Sequence, residues 1–260
     1  VAGAGDQQAA AIGAGAGAPG IAVTSIGTSA QIFATSDAYA PEPVGRLHAM
    51  CHSVPGAWHT MGVMLSGGGS MSWLARALAP ISGGDPVERL FALAAQSPPG
   101  ARGLLFLPYL TGERMPINDP QARAAFACLS SEHDIGDMAR AVMEGVAFNL
   151  RQILDITRTT GVRVDEMRLT GGGTRSDAWT QIIADAFEMP VSVLESTEGT
   201  PIGGALLAAT GAGAFSSVAE AAASCVRVAS TLLPTVEGVA AYREAYERYA
   251  RLYDATCAVR

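Results

Sequence analysis

Asp6, Gln7 and Gln8 stand together in the run GAGDQQAAAIGAG, a carboxylate and two amides in an otherwise small-residue setting. The other groups able to do chemistry are backbone ones. Three glycine-bearing turns, Gly27-Thr28-Ser29, Gly67-Gly68-Gly69 and Gly171-Gly172-Gly173, are spread along the chain. A turn without β-carbons lets N–H groups approach an anion or the flat face of a nucleotide, and a helix starting just after it adds positive potential. Each is an ordinary turn taken singly. With the isolated carboxylate of Asp6, the three fit a site that passes a phosphoryl group to a hydroxyl.

Competing readings of the same stretches fail on context. Gly15-Ala16-Gly17-Ala18-Pro19-Gly20 satisfies G-x-G-x-x-G, but no strand precedes it and a β-rich run follows, so a dinucleotide-binding oxidoreductase is not supported. Gly27-Thr28-Ser29-Ala30-Gln31 lacks the last glycine of a nucleophile elbow and falls in a hairpin. His48, His52 and His59 have spacings that do not converge in a non-helical segment, and they read as surface or core histidines rather than metal ligands. The four cysteines form no C-x-x-C pair and read as buried free thiols. All 17 basic residues are arginine, which excludes a P-loop or Schiff-base lysine within this chain.

The elements that must position these groups follow from periodicity. Residues 21–35 read as strand, tight turn, strand, and 59–65 as another strand. MSWLARALA reads as a short helix ended by Pro80, residues 85–96 as a helix, and Gly103–Leu107 as a buried strand. Residues 134–161 carry apolar side chains at steps of three and four, which predicts a long helix closed by Gly161. Met167–Thr170, a helix capped by Ser176 and Val191–Leu194 make a βαβ-like unit. Helices follow at Gly203–Thr210, Val218–Ala223 and Val236–Ala258, the last with a tyrosine stripe that reads as packing. The chain is thus mixed α/β, with no internal repeat and no splitting linker.

Composition sets the limits. At 49% apolar residues the chain can build a substantial core, and a formal charge of −7 with no basic cluster argues against nucleic-acid or anionic-lipid partners. No apolar run reaches membrane-span length and no signal peptide is evident, so a cytoplasmic location is expected.

The segments "GDQQAAAIGAG", "SIGTSAQIFA", "LLFLPYLTGERMPINDPQARAAFACLS", "MRLTGGGTRSDAWTQIIADAFEMPV" and "GTPIGGALLAATGAG" occur in the order of similar segments in FGGY carbohydrate kinases. The sequence resembles the xylulokinases of that family most, over nearly its whole length. The resemblance implies a ribonuclease-H-like (actin-like ATPase and sugar kinase) α/β domain, a mixed sheet flanked by helices. It also implies that residues 1–260 are the C-terminal, nucleotide-binding domain, whose partner is the N-terminal half of the same kinase. A homodimer would be common for such kinases.

Residue by residue, the resemblance makes Asp6 the catalytic base and Gln7 its neighbour in holding the sugar. Thr28, with Gly27 and Ser29, would contact the nucleotide phosphates, Gly68 and Ser72 would lie beside the nucleotide, and Gly172, Gly173 and Ser176 would surround adenosine. ATP and Mg²⁺ are the implied cofactors, the metal held by phosphates and water rather than by a dedicated ligand set. D-Xylulose is the implied acceptor, and the fragment alone would show little activity. A non-catalytic binding module is the alternative from another class. Two departures stand out. G-D-Q replaces the G-D-N usual in xylulokinases and is similar to glycerol kinases, leaving glycerol or another polyol as the alternative acceptor. The family signature also has glycines near Ala124 and Cys128, which predicts a local packing difference.

Overall fold

The computed structural model describes residues 3–78 and 85–259. Its centre is a seven-stranded mixed sheet in the order β3-β4-β2-β1-β7-β8-β9. The strands are β1 (Gly20–Ile26), β2 (Ala30–Ser36), β3 (His48–Cys51), β4 (Trp58–Met64), β7 (Val164–Thr170), β8 (Val191–Leu194) and β9 (Val228–Leu232). β1 pairs antiparallel with β2 and parallel with β7, so the sheet changes sense at its middle strand. A separate two-stranded sheet joins β5 (Leu105–Leu107) to β6 (Ala125–Ala127).

Alternation along β1 and β2 sends the two faces of each strand to different cores. Ala22, Ile26, Ile32 and Ala34 join the large cluster built on helix α4 (Ile135–Thr159) and helix α5 (Asp177–Phe187), whereas Val23 and Phe33 pack with Ala11 of helix α1 (Asp6–Gly13) and with Ala14 just after it. α4 is the predicted long helix. Asp134 and Asp137 bond reciprocally to each other's backbone N–H at its start, and Gly161 at φ +82° follows its end. The remaining helices are α2 (Gly69–Ala77), α3 (Pro86–Ala94), α6 (Gly199–Gly211), α7 (Val218–Cys225), α8 (Val236–Tyr249) and α9 (Leu252–Cys257). Pro80, expected to stop α2, lies outside the described residues.

Several expectations are corrected. The small-residue run after Asp6, for which the sequence predicts no element, is a helix. Its Asp6 carboxylate sits in the first turn, where the helix dipole favours an anion, and the Arg168 guanidinium donates to Ala14 O just past its end at 3.0 Å. The terminal helix is broken at Ala250–Arg251 into α8 and α9. Cys51, Cys128 and Cys225 are exposed and Cys257 is half-buried, so these thiols are not core residues. β3 and β9 were not foreseen; each lies at a sheet edge, and β9 is largely exposed.

The tyrosine stripe is packing with polar anchors. Tyr242 is buried between Arg140, which donates to its hydroxyl at 2.8 Å, and Glu144, which accepts from it at 2.9 Å, while the Tyr246 hydroxyl reaches Asp155. His52 and His59 are buried beside Phe33, and burial pulls both imidazoles down to about 4. They are neutral core residues at ordinary pH. Cys128 has φ +65°, a left-handed backbone at one of the two places where the resemblance expects glycine.

Candidate functional site

Two cavities open at the C-terminal ends of β1 and β7, the place where open α/β sheets present ligand sites. The first, of about 310 Å³, is lined by Gln7 of α1, by Ser25, Gln31 and Thr170 of the sheet, and by Thr197–Pro201 at the start of α6. The second, of about 240 Å³, is lined by Ile26–Thr28, Gly68, Gly69, Ser72, Asp85, Phe91, Gly172, Gly173, Arg175 and Trp179 among others. Ser25 and Thr170 face the first cavity, while residues just beyond them in the chain, Ile26–Thr28 and Gly172–Gly173, face the second. One strand pair therefore divides the two spaces.

The second cavity gathers Gly27, Thr28, Gly68, Gly172 and Gly173 from all three glycine turns, with Ser72 of α2. Glycine is required at this junction by close packing, mostly of backbone on backbone. A β-carbon on Gly68 would stand 2.7 Å from Gly27 O, one on Gly69 2.9 Å from Thr28 O, and one on Gly173 2.8 Å from the Ile26 side chain. Gly171, at φ +92°, would put one 2.6 Å from Ile26 O. At Gly172 the same atom would meet nothing within 4 Å, so the wall there is open.

The turns differ in which donors they can offer. N–H groups of Gly67, Gly68 and Gly69 donate to Thr28 O, Gly27 O and Thr28 O at 2.9, 2.7 and 3.0 Å, and Gly27 N–H closes its own turn onto Ser29 O at 2.9 Å. The Gly67–Gly69 turn is therefore a brace that holds the Gly27–Ser29 turn rather than a direct anion cradle. Exposed Thr28 lines the cavity, as does Ser72 on α2, two hydroxyl-bearing residues on its wall. Apolar walls come from Ile26, Met71, Phe91 and Trp179. A flat ring against those walls and an anion near Thr28 match the donor set.

Two expected residues do not reach the cavity wall. Ser29 is exposed but is not on the wall, and Ser176 is buried and occupied as the cap of α5, accepting from Trp179 N–H at 3.2 Å. Ser176 thus positions Gly172–Arg175 through the helix it starts. Glu113 in the segment TGER has a comparable role. Its carboxylate accepts from Leu65 N–H at 2.9 Å and Arg114 N–H at 2.7 Å, fixing the end of β4 just before the brace turn. Burial pushes this carboxyl up to about 7.

At the first cavity, Asp6 is exposed at the start of α1, its Oδ1 accepting from Gln7 N–H at 2.8 Å. Asp6 itself does not line the cavity wall; Gln7 does, with its Oε1 accepting from Gln31 Nε2. The helix is set there by its partner α6. Gly13 abuts Gly199, and Gly203 abuts Ala9, so closely that a β-carbon at Gly13 or Gly203 would overlap the facing backbone. Sequence reasoning missed Ser25, Gln31, Thr170 and Thr197–Pro201 here, and Asp85, Phe91, Arg175 and Trp179 in the second cavity. The alternation of β1 and β2 was the one signal available for Ser25 and Gln31. Among the described residues no three of His, Cys, Asp and Glu come together to hold a metal ion, and no helix is long and apolar enough to cross a membrane.

Comparison with known proteins follows this geometry. Residues 22–212 match the model of the FGGY family of carbohydrate kinases, C-terminal domain. A xylulose kinase of Escherichia coli (strain K12) is 36% identical over 254 residues, covering 97% of this chain and 51% of that protein. The crystal structure of a xylulose kinase from Rhodospirillum rubrum superposes with a TM-score of 0.88 at 33% identity, over 97% of this chain and 50% of the other. That of a "xyloylose kinase" from Brucella ovis gives 0.90 at 35%, over 99% and 52%. The chain spans about half the length of the curated relatives it matches.

Proposed function

From the premise that this chain belongs to the FGGY family of carbohydrate kinases, we propose that it forms the nucleotide-binding half of an enzyme that phosphorylates a sugar hydroxyl. MgATP is the donor and D-xylulose the acceptor, giving D-xylulose 5-phosphate. One convergence carries the reading: turns from distant parts of the sequence meet around Thr28, beside the cavity that Gln7 lines and next to which Asp6 starts α1.

Thr28 and Ser72 would hold the phosphate end of the nucleotide, and the walls at Met71, Phe91, Gly172 and Gly173 would receive its base. Bound there, MgATP supplies an electrophilic terminal phosphorus with its charge partly neutralised. The chain's own contribution is placement and one proton. Gln7 orients the acceptor, and the Asp6 carboxylate takes the proton of its attacking hydroxyl. With no lysine in the chain, backbone dipoles and hydroxyls do the positioning that a lysine does in P-loop enzymes.

The remaining sugar contacts would come from an N-terminal half, the partner of this domain, and closure between the two would keep water from competing as acceptor. The same reading places the enzyme in the cytoplasm, with a homodimer as its expected assembly. Gly5-Asp6-Gln7 favours glycerol or a related polyol as the second acceptor to be tried.

The test is an ADP-release assay on the 260 residues alone and on the same chain joined to the N-terminal half of a xylulose kinase. D-Xylulose, glycerol and a panel of pentitols serve as acceptors. Activity only in the joined protein, with D-xylulose preferred, is the expected result. Absence of sugar-dependent turnover in both would overturn the proposal, and turnover by the isolated chain would overturn the need for a partner half.

A further inference from the structure

Beneath Gln7, three polar side chains lie in register across the middle of the sheet. Gln31 of β2 pairs with Ser25 of β1, and Ser25 pairs with Thr170 of β7; all three line the first cavity with Gln7. Gln31 is the member of this row that touches Gln7, donating from Nε2 to Gln7 Oε1. We infer that Gln31 is a positioning residue for acceptor recognition: by holding the oxygen of the Gln7 carboxamide, it turns the Gln7 NH₂ group toward the substrate.

The inference rests on the kinase reading above and adds to it the polarity of the acceptor contact. A carboxamide carries its oxygen and its NH₂ on opposite sides of one rigid plane. With the oxygen occupied by Gln31, the face that Gln7 presents to the cavity is a donor. A donor pair matches the lone pairs of a hydroxyl or keto oxygen, the groups that a ketose or polyol displays.

Gln31 is well placed to impose that orientation. Its backbone is fixed on both sides, paired with Ser25 in one direction and Val63 of β4 in the other. The next side chain on the same face, Phe33, is buried and stacked on His59 with ring centres 4.2 Å apart. The floor under Gln7 is therefore rigid, whereas Gln7 stands in the first turn of a short helix. An ordered strand residue dictates the conformation of the helix residue.

Substitution at Gln31 separates this role from simple support. In Gln31→Glu the isosteric carboxylate can only accept, so the Gln7 amide must turn its NH₂ inward and show its oxygen to the cavity. In the joined protein described above, KM for the sugar should rise about tenfold or more while KM for ATP stays within about twofold. Gln31→Leu, which releases the amide without inverting it, should raise the sugar KM by a smaller factor. The contact itself is checked in the 260-residue chain by side-chain amide NMR, where Gln7→Ala should shift the Gln31 NH₂ resonances. Unmoved resonances overturn the inference, as does an unchanged sugar KM in Gln31→Glu. A parent protein with no activity toward any acceptor instead overturns the kinase reading, and the specificity role falls with it.

Discussion

Gly203 of α6 lies directly against the Ala9 carbonyl of α1, leaving no room for even a methyl group between the two helices. This contact, repeated where Gly13 meets Gly199, holds the helix that presents Asp6 and Gln7. Gly203→Ala should therefore force α1 and α6 apart and cost about 1–3 kcal/mol, as overpacked cores do. Urea unfolding of the isolated chain reads the loss of stability. Gly204→Ala, one residue on where a β-carbon meets nothing within 4 Å, should instead gain about 0.5–1 kcal/mol, the advantage of alanine over glycine inside a helix.

Neighbouring glycines in the third turn should separate fold from ligand. A methyl at Gly173 runs into the Ile26 side chain at 2.8 Å, so Gly173→Ala should destabilise the junction of the turns by about 1–3 kcal/mol. Gly172→Ala adds its methyl to open space on the cavity wall and should leave the unfolding midpoint unchanged while weakening nucleotide binding. Titration with a fluorescent ATP analogue, set beside thermal unfolding, distinguishes the two. Equal nucleotide affinity in Gly172→Ala and wild type would remove Gly172 from the site.

How much of this was legible in the sequence depends on how local each cause is. Ser176 announced itself as a cap because the bond it makes is three residues away, and α4 announced itself through its apolar period. The glycines of the three turns were visible as turns, but the reason for them was not. That reason lies in Ile26 and Gly27, at the other end of contacts spanning from about 40 to nearly 150 residues. α1 was hidden by its own composition, since Gly and Ala show no apolar period. β9 was hidden because an exposed edge strand has no buried face to alternate against. Gln31 and Thr197–Pro201 came into the first cavity through sheet register and helix packing, which no single stretch of sequence records.

Glu113 should make stability fall as pH rises. Its folded carboxyl, raised to about 7 by burial, keeps a proton that the unfolded chain releases near its ordinary value of 4.5. Below the unfolded value both states are protonated and nothing is lost. Between about 4.5 and 7 the unfolded state gains by ionising, and above 7 the folded state bears the whole cost of a buried charge. Glu113→Gln keeps an oxygen for Leu65 N–H and has no proton to lose. Between pH 5 and pH 8 the wild type should lose about 2 kcal/mol more stability than this variant, measured by urea unfolding. Parallel pH profiles would show that the carboxyl is ionised throughout.

Cys128 should be improved by the residue that its backbone asks for. At φ +65° a side chain crowds the following carbonyl, a cost of about 1–2 kcal/mol that glycine escapes. Glycine gives back part of that gain through the greater freedom of the unfolded chain, leaving a net stabilisation of about 0.5–1 kcal/mol for Cys128→Gly. The thiol is exposed and its one polar contact, from Arg248 at 3.4 Å, is weak, so little is lost with it. Thermal unfolding of the two chains under reducing conditions reads the difference.

Asp6→Asn isolates the proton-accepting role proposed for this carboxylate. The side chain is exposed and its one backbone partner, Gln7 N–H, donates to an oxygen that asparagine retains, so α1 should keep its start and the chain its unfolding midpoint. Asp6 also lies outside the cavity formed around Thr28, so nucleotide affinity should be within about twofold of wild type. What asparagine cannot do is take a proton from the attacking hydroxyl. Sugar phosphorylation by the joined protein should drop by about 10²–10⁴-fold in kcat, with KM for ATP held. If the variant turns over at near the parental rate, the acceptor is deprotonated by another group and Asp6 is left with a role in α1 alone.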